Sequence, residues 1–113
     1  MTFVQKKGYR VERKIRLLIE AEGWKVIRPG ASLGEADLVC LKEGKCMTIQ
    51  VKSTKKKKFY YYDYMEPKLT GFPFYLVVDF GYGKIRILKP QKIVTPVDGQ
   101  DFKEFLKKIQ SFT

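Results

Sequence analysis

The feature that most constrains the fold is a tight turn between two strand-like segments. Glu35–Leu41 and Cys46–Lys52 flank Lys42-Glu43-Gly44-Lys45, and Glu43-Gly44 suits a two-residue hairpin loop. A loop of that length determines the register: Lys42 faces Lys45, Leu41 faces Cys46, and Asp37 faces Gln50. Residues directly opposite have Cβ atoms roughly 4.5–5.5 Å apart. Strand side chains alternate, so Lys52 joins Asp37 and Gln50 on one face, while Leu38, Ile49 and Val51 take the other. Cys40 and Cys46 fall on opposite faces and are not expected to bond.

The rest of the chain supplies partners for this hairpin. Val11, Ile15, Leu18 and Ile19 form one apolar stripe of a helix over Gly8–Glu22, with Gly23 placed as its left-handed stop. Trp24–Arg28 reads as a short strand ended by Pro29-Gly30, with Trp24 assigned to the core. Phe74–Phe80 and Lys84–Lys89 form a second hairpin around Gly81-Tyr82-Gly83. Phe102, Phe105, Leu106, Ile109 and Phe112 mark a C-terminal amphipathic helix, with Asp101 and Glu104 spaced as a capping pair. Between residues 53 and 73 no period emerges, and we expect Phe59, Tyr61 and Phe72 at a subunit interface. The 113 residues suffice for one domain, 1–113, of the α/β class. A central mixed five-stranded sheet flanked by helices is expected.

Charge narrows the function. Against 12 Asp+Glu stand 23 Lys+Arg, a net charge of +11, yet 44% of residues are hydrophobic, too many for a disordered basic tail. The surplus implies an anionic partner, nucleic acid ahead of a membrane surface, with a basic surface that merely aids solubility as the alternative. The absence of histidine excludes a Ser–His–Asp triad, an HExxH zinc site and a histidine general base. Two cysteines are too few for a disulfide scaffold. No stretch approaches the ~20 apolar residues of a membrane span, and the first residues carry no apolar signal region, so an intracellular protein is expected.

The hairpin face has the chemistry of a metal-dependent nuclease. Asp37 offers a hard carboxylate oxygen, Gln50 an amide oxygen and Val51 its peptide carbonyl, donors suited to Mg²⁺. Lys52 is placed to hold or deprotonate the attacking water and to offset charge growing on the phosphorus centre. Glu12, on the first helix, is a further candidate, directly or through a metal-bound water. Plainer alternatives stand beside each role. Glu12 has Arg16 at i+4 for a surface ion pair. Asp37 can begin a strand, and Gln50 and Lys52 can be an exposed strand face. Lys55, Lys56, Lys57 and Lys58 follow directly after Lys52, either as a solvated loop or at the mouth of the site where phosphates pass.

Several matches together make a resemblance. Gly8 with Glu12-Arg13, Arg28 followed by Ser32, Asp37 within ADLV, and the Gln50-Val51-Lys52 triplet are similar to the archaeal-type Holliday junction resolvases. These belong to the restriction-endonuclease-like, PD-(D/E)xK, nuclease superfamily. The resemblance covers roughly residues 7 to 58 and, more loosely, the 74–90 hairpin. It implies that fold, an active site of Glu12, Asp37, Gln50 and Lys52, and supporting contacts to DNA from Arg13, Arg28 and Ser32. It further implies a homodimer that makes paired nicks in a four-way DNA junction with Mg²⁺, for which Mn²⁺ substitutes. Flap or restriction-type nucleases of the same superfamily, and a DNA-binding module that lost catalysis, are the alternatives. The chain departs from the family at Gln50, where Glu is usual, removing one negative charge from the metal site. It also has a short segment where relatives place a longer helix, so Lys55–Leu69 must stand in for it.

Overall fold

The computed structural model describes residues 3–28, 38–63, 65 and 71–110, with side chains from residue 10 onward in the first stretch and up to 109 in the last. Helix α1 covers Phe3–Ala21. It starts before Gly8, because the polar and apolar residues ahead of that glycine are themselves compatible with a helix. Ile15 and Ile19 are fully buried and Val11 and Leu18 pack beside them, as the stripe requires. Gly23 closes the helix with φ +90° and donates to the Glu20 carbonyl at 3.0 Å.

Strands β1 (Lys25–Ile27), β2 (Leu38–Lys42) and β3 (Lys45–Ser53) follow. Every described β2–β3 pair keeps the register set by the turn, from Lys42↔Lys45 to Leu38↔Ile49. Glu43 (φ 47°) and Gly44 (φ 80°) both take the left-handed conformation that a twisted two-residue hairpin demands. The next pair in this register, Asp37 with Gln50, lies outside the described residues, as does Ser32. Strand β5 (Phe74–Asp79) runs parallel to β3, and β6 (Ile85–Leu88) returns antiparallel to β5.

The main sheet has six strands rather than five, ordered β1-β2-β3-β5-β6-β8. The extra edge strand, β8 (Gln100–Asp101), pairs with β6 immediately before helix α2 (Phe102–Gln110). A separate two-stranded sheet joins β4 (Phe59–Tyr60) to β7 (Ile93–Val94). These pairs are too short to show an alternation of their own. At the start of α2, the Glu104 amide donates to Asp101 Oδ2 at 3.1 Å, the expected cap. Removing it with Asp101→Ala is expected to cost about 1 kcal/mol, read as a lower midpoint in urea unfolding.

The core forms on both faces of the sheet. Both described helices pack on the side of Leu38, Cys40, Met47, Ile49, Val51, Val77 and Ile87, with Trp24 buried among them as expected. The opposite side holds Tyr61, Leu76, Val78, Phe80, Leu88 and Val94. Tyr61 is only 1% exposed within the single chain, which corrects its assignment to a subunit interface. An aromatic ring already enclosed by its own chain has no surface left for a second copy. Phe59 is half-buried against the same cluster, whereas Phe72 remains exposed. Both cysteines are free, and burial, then the neighbouring Cys46, pushes the Cys40 thiol up to about 12. No helix among the described residues is long and apolar enough to cross a membrane.

Candidate active site

Strand β3 (Lys45–Ser53) carries three of the candidate residues, Gln50, Val51 and Lys52. It is hydrogen-bonded on one side to β2 and on the other to β5, with Gln50 beside Leu76, Val51 beside Val77 and Lys52 beside Val78. Alternation turns Val51 into the helix-side core and puts Gln50 and Lys52 on the other face with Thr48. Gln50 is 9% exposed, while the Lys52 side chain is 32% exposed. The triplet thus grades from a buried amide to an accessible ammonium in one step along a strand.

Lys52 has a partner that the sequence pattern did not single out. Its Nζ lies 3.0 Å from Asp63 Oδ2. Asp63 follows Tyr61, whose amide donates to the Lys92 carbonyl at 2.8 Å. An isolated acid inside an aromatic run gives no local signal of this contact.

Glu12 and Arg28 are brought together by α1 and the end of β1. Arg28 Nε sits 2.6 Å from Glu12 Oε1. The helical neighbour Arg16 is not the partner: its Nε is buried with no hydrogen-bond partner among the described residues. Two residues after Glu12 on the same helix, Lys14 Nζ contacts Asp79 Oδ2 at 2.5 Å. Asp79 is only 5% exposed, accepts from the Gly81 amide at 2.8 Å, and is registered against Ser53, next to Lys52. Its own carbonyl accepts from the Thr54 amide at 3.0 Å. Asp79 therefore ties α1 to the end of β3 that bears Lys52. Glu12 belongs to the helix that packs on the sheet face opposite to the one carrying Gln50 and Lys52.

Basic side chains surround this end. Arg13 is exposed, and with Arg10, Lys14, Leu17 and Leu18 it lines a shallow hollow of about 420 Å³. Lys55, Lys56, Lys57 and Lys58 are all exposed in the loop from β3 to β4. The loop's start is fastened by the Lys56 amide donating to Thr54 Oγ1 at 3.1 Å. Among the described residues no group of three or more His, Cys, Asp or Glu forms a cluster for a metal ion. Asp37, the acid on which such a site depends, is outside them.

Comparisons with known proteins agree on a single family. The model of the archaeal Holliday junction resolvase family matches residues 3–96. A crossover junction endodeoxyribonuclease, Hjc, of Methanocaldococcus jannaschii is 38% identical over 55 residues, 49% of this chain and 41% of that protein. The match thus spans about two fifths of the length of this curated relative. The solved structure of Archaeoglobus fulgidus Hjc, a Holliday junction resolvase, superposes with a TM-score of 0.72 at 20% identity. It covers 89% of this chain and 96% of that one, which shows a shared nuclease fold. With the family model extending over residues 3–96, from α1 through β7, the chain belongs to the archaeal Holliday junction resolvase family.

Proposed function

We propose that the protein is a structure-selective DNA endonuclease that resolves four-way junctions, acting as a homodimer with one Mg²⁺-dependent site in each subunit. The observation that best supports this is the layout of β3. A two-residue turn sets its register, Gln50 and Lys52 share a face, and Asp37 immediately precedes Leu38 in the sequence. Family membership supplies the substrate class, and the basic surroundings of the Lys52 end suit a polyanion.

The donors proposed for the metal are all oxygens, as a hard cation prefers: the Asp37 carboxylate, the Gln50 amide oxygen, the Val51 carbonyl and Glu12 through water. When bound, Mg²⁺ supplies Lewis acidity and an activated water for in-line attack on the phosphodiester. Lys52 holds its ammonium beside the reacting phosphate and offsets the added negative charge. Arg28 orients Glu12 through their ion pair. Arg13, Ser32 and Lys55–Lys58 bind backbone phosphates, which favours recognition by charge and shape over base sequence. Gln50 in place of Glu weakens the metal site by one charge, so more Mg²⁺ is needed and Mn²⁺ is accepted.

The test is cleavage of a synthetic four-way junction, a flap and a linear duplex, with Mg²⁺, with Mn²⁺, and with EDTA. Paired symmetric nicks in the junction alone, lost in EDTA, are the expected result. Preferential cutting of the flap or duplex points to another nuclease of the superfamily. Gln50 favours a second reading, a binding module without catalysis. Salt-sensitive junction binding with no cleavage in either metal selects that reading instead.

A further inference from the structure

Lys52 does not stand alone at the end of β3. Asp63 lies within a few residues of Lys55, Lys56, Lys57 and Lys58, all exposed and all without an ion pair among the described residues. It bonds instead to the half-buried Lys52, at 3.0 Å. That selectivity follows from how Asp63 is held. Phe59 and Tyr60 pair with Val94 and Ile93, and the Tyr61 amide donates to Lys92 O at 2.8 Å. Tyr61, 1% exposed, is locked among Leu76, Val78, Phe80, Leu88 and Val94. Leu76 and Val78 are the β5 neighbours of Gln50 and Lys52. A fully buried anchor on the same side of the sheet thus delivers the carboxylate two residues later.

We propose that Asp63 is a positioning residue for the resolvase reaction, holding the Lys52 ammonium in the orientation in which it meets the scissile phosphate. This rests on the reading of Lys52 as an active-site residue. A half-exposed ion pair contributes little to stability, so folding alone gives no reason to hold it. A lysine has four rotatable bonds and a compact charge, so its ammonium explores many places unless something selects one. Asp63 selects one, on a segment that the family motif does not include.

The experiment uses the full chain with Asp63→Asn, Asp63→Glu and Lys52→Met, measured by single-turnover junction cleavage, gel-shift affinity and thermal melting. Asp63 is half exposed, so neither replacement enters the core. Asp63→Asn is expected to slow the single-turnover rate by about 10- to 100-fold, the range seen when an orienting partner is removed. Junction affinity should not weaken, the melting temperature should match the wild type, and Asp63→Glu should recover most of the rate. A wild-type or faster rate for Asp63→Asn overturns the proposal, because Asp63 is then idle or a restraint. So does a loss that Asp63→Glu fails to restore. Undiminished cleavage by Lys52→Met removes the site assignment itself. Loss in Lys52→Met with normal Asp63→Asn removes the Asp63 role alone.

Discussion

Asp37→Ala is expected to slow junction cleavage in Mg²⁺ by about 10³-fold or more, while junction affinity stays within about threefold. The two effects separate because different residues carry them. In the proposed mechanism cleavage needs the carboxylate that completes an oxygen donor set with Gln50 and Val51. Binding is proposed to rest on phosphate contacts from the exposed Arg13 and Lys55–Lys58, which the substitution leaves in place. Single-turnover cleavage and gel-shift titration, at one salt concentration, measure the two quantities. Undiminished cutting shows that Asp37 is not part of the site. Loss of binding in step with cleavage shows instead that the substitution disturbs the fold of the hairpin.

Tyr61→Ala is expected to produce the largest loss of stability. Removing a fully buried aromatic ring leaves a cavity as well as losing its burial, which typically costs about 3–5 kcal/mol. That is a large part of the total stability of a domain of this size. A fall in melting temperature of roughly 10–20 °C is the corresponding result. Cleavage should fall as well at temperatures where the variant is folded, because Asp63 loses its anchor. If the substitution changes only the dissociation of dimers and leaves the unfolding of each subunit untouched, Tyr61 belongs to an interface after all.

The parts of the fold that the sequence made legible share a property: their register is local. Glu43 and Gly44 determine every described pair of β2 with β3, so the shared face of Gln50 and Lys52 follows from a turn and a period of two. The α1 stripe and the Asp101–Glu104 cap are equally local. The remainder depends on pairings across long stretches of chain. Nothing near Phe59 says that it will meet Val94, and this pairing is what buries Tyr61 and delivers Asp63. Asp79 is similar: it reads as a polar end to an apolar strand until β5 lies parallel to β3 and Lys14 reaches it. The resemblance names Arg28 beside Glu12, already a candidate on the first helix, but nothing in the sequence pattern pairs the two directly. The simpler expectation, Glu12 with Arg16, is not met: Glu12 pairs with Arg28, and Arg16 Nε is buried with no hydrogen-bond partner among the described residues.

Strand β3 is paired along both edges and covered on both faces. Opening it exposes apolar surface on two sides at once, so it separates only when the whole sheet does. Gln50, Val51 and Lys52 therefore act as a fixed datum, held to the stiffest part of the molecule. The proposed branched substrate, which varies in shape, has to be met by something else. On the proposed reading, the exposed lysines at 55–58, fastened at their start by Thr54, take up that accommodation while Gln50, Val51 and Lys52 stay where the sheet puts them.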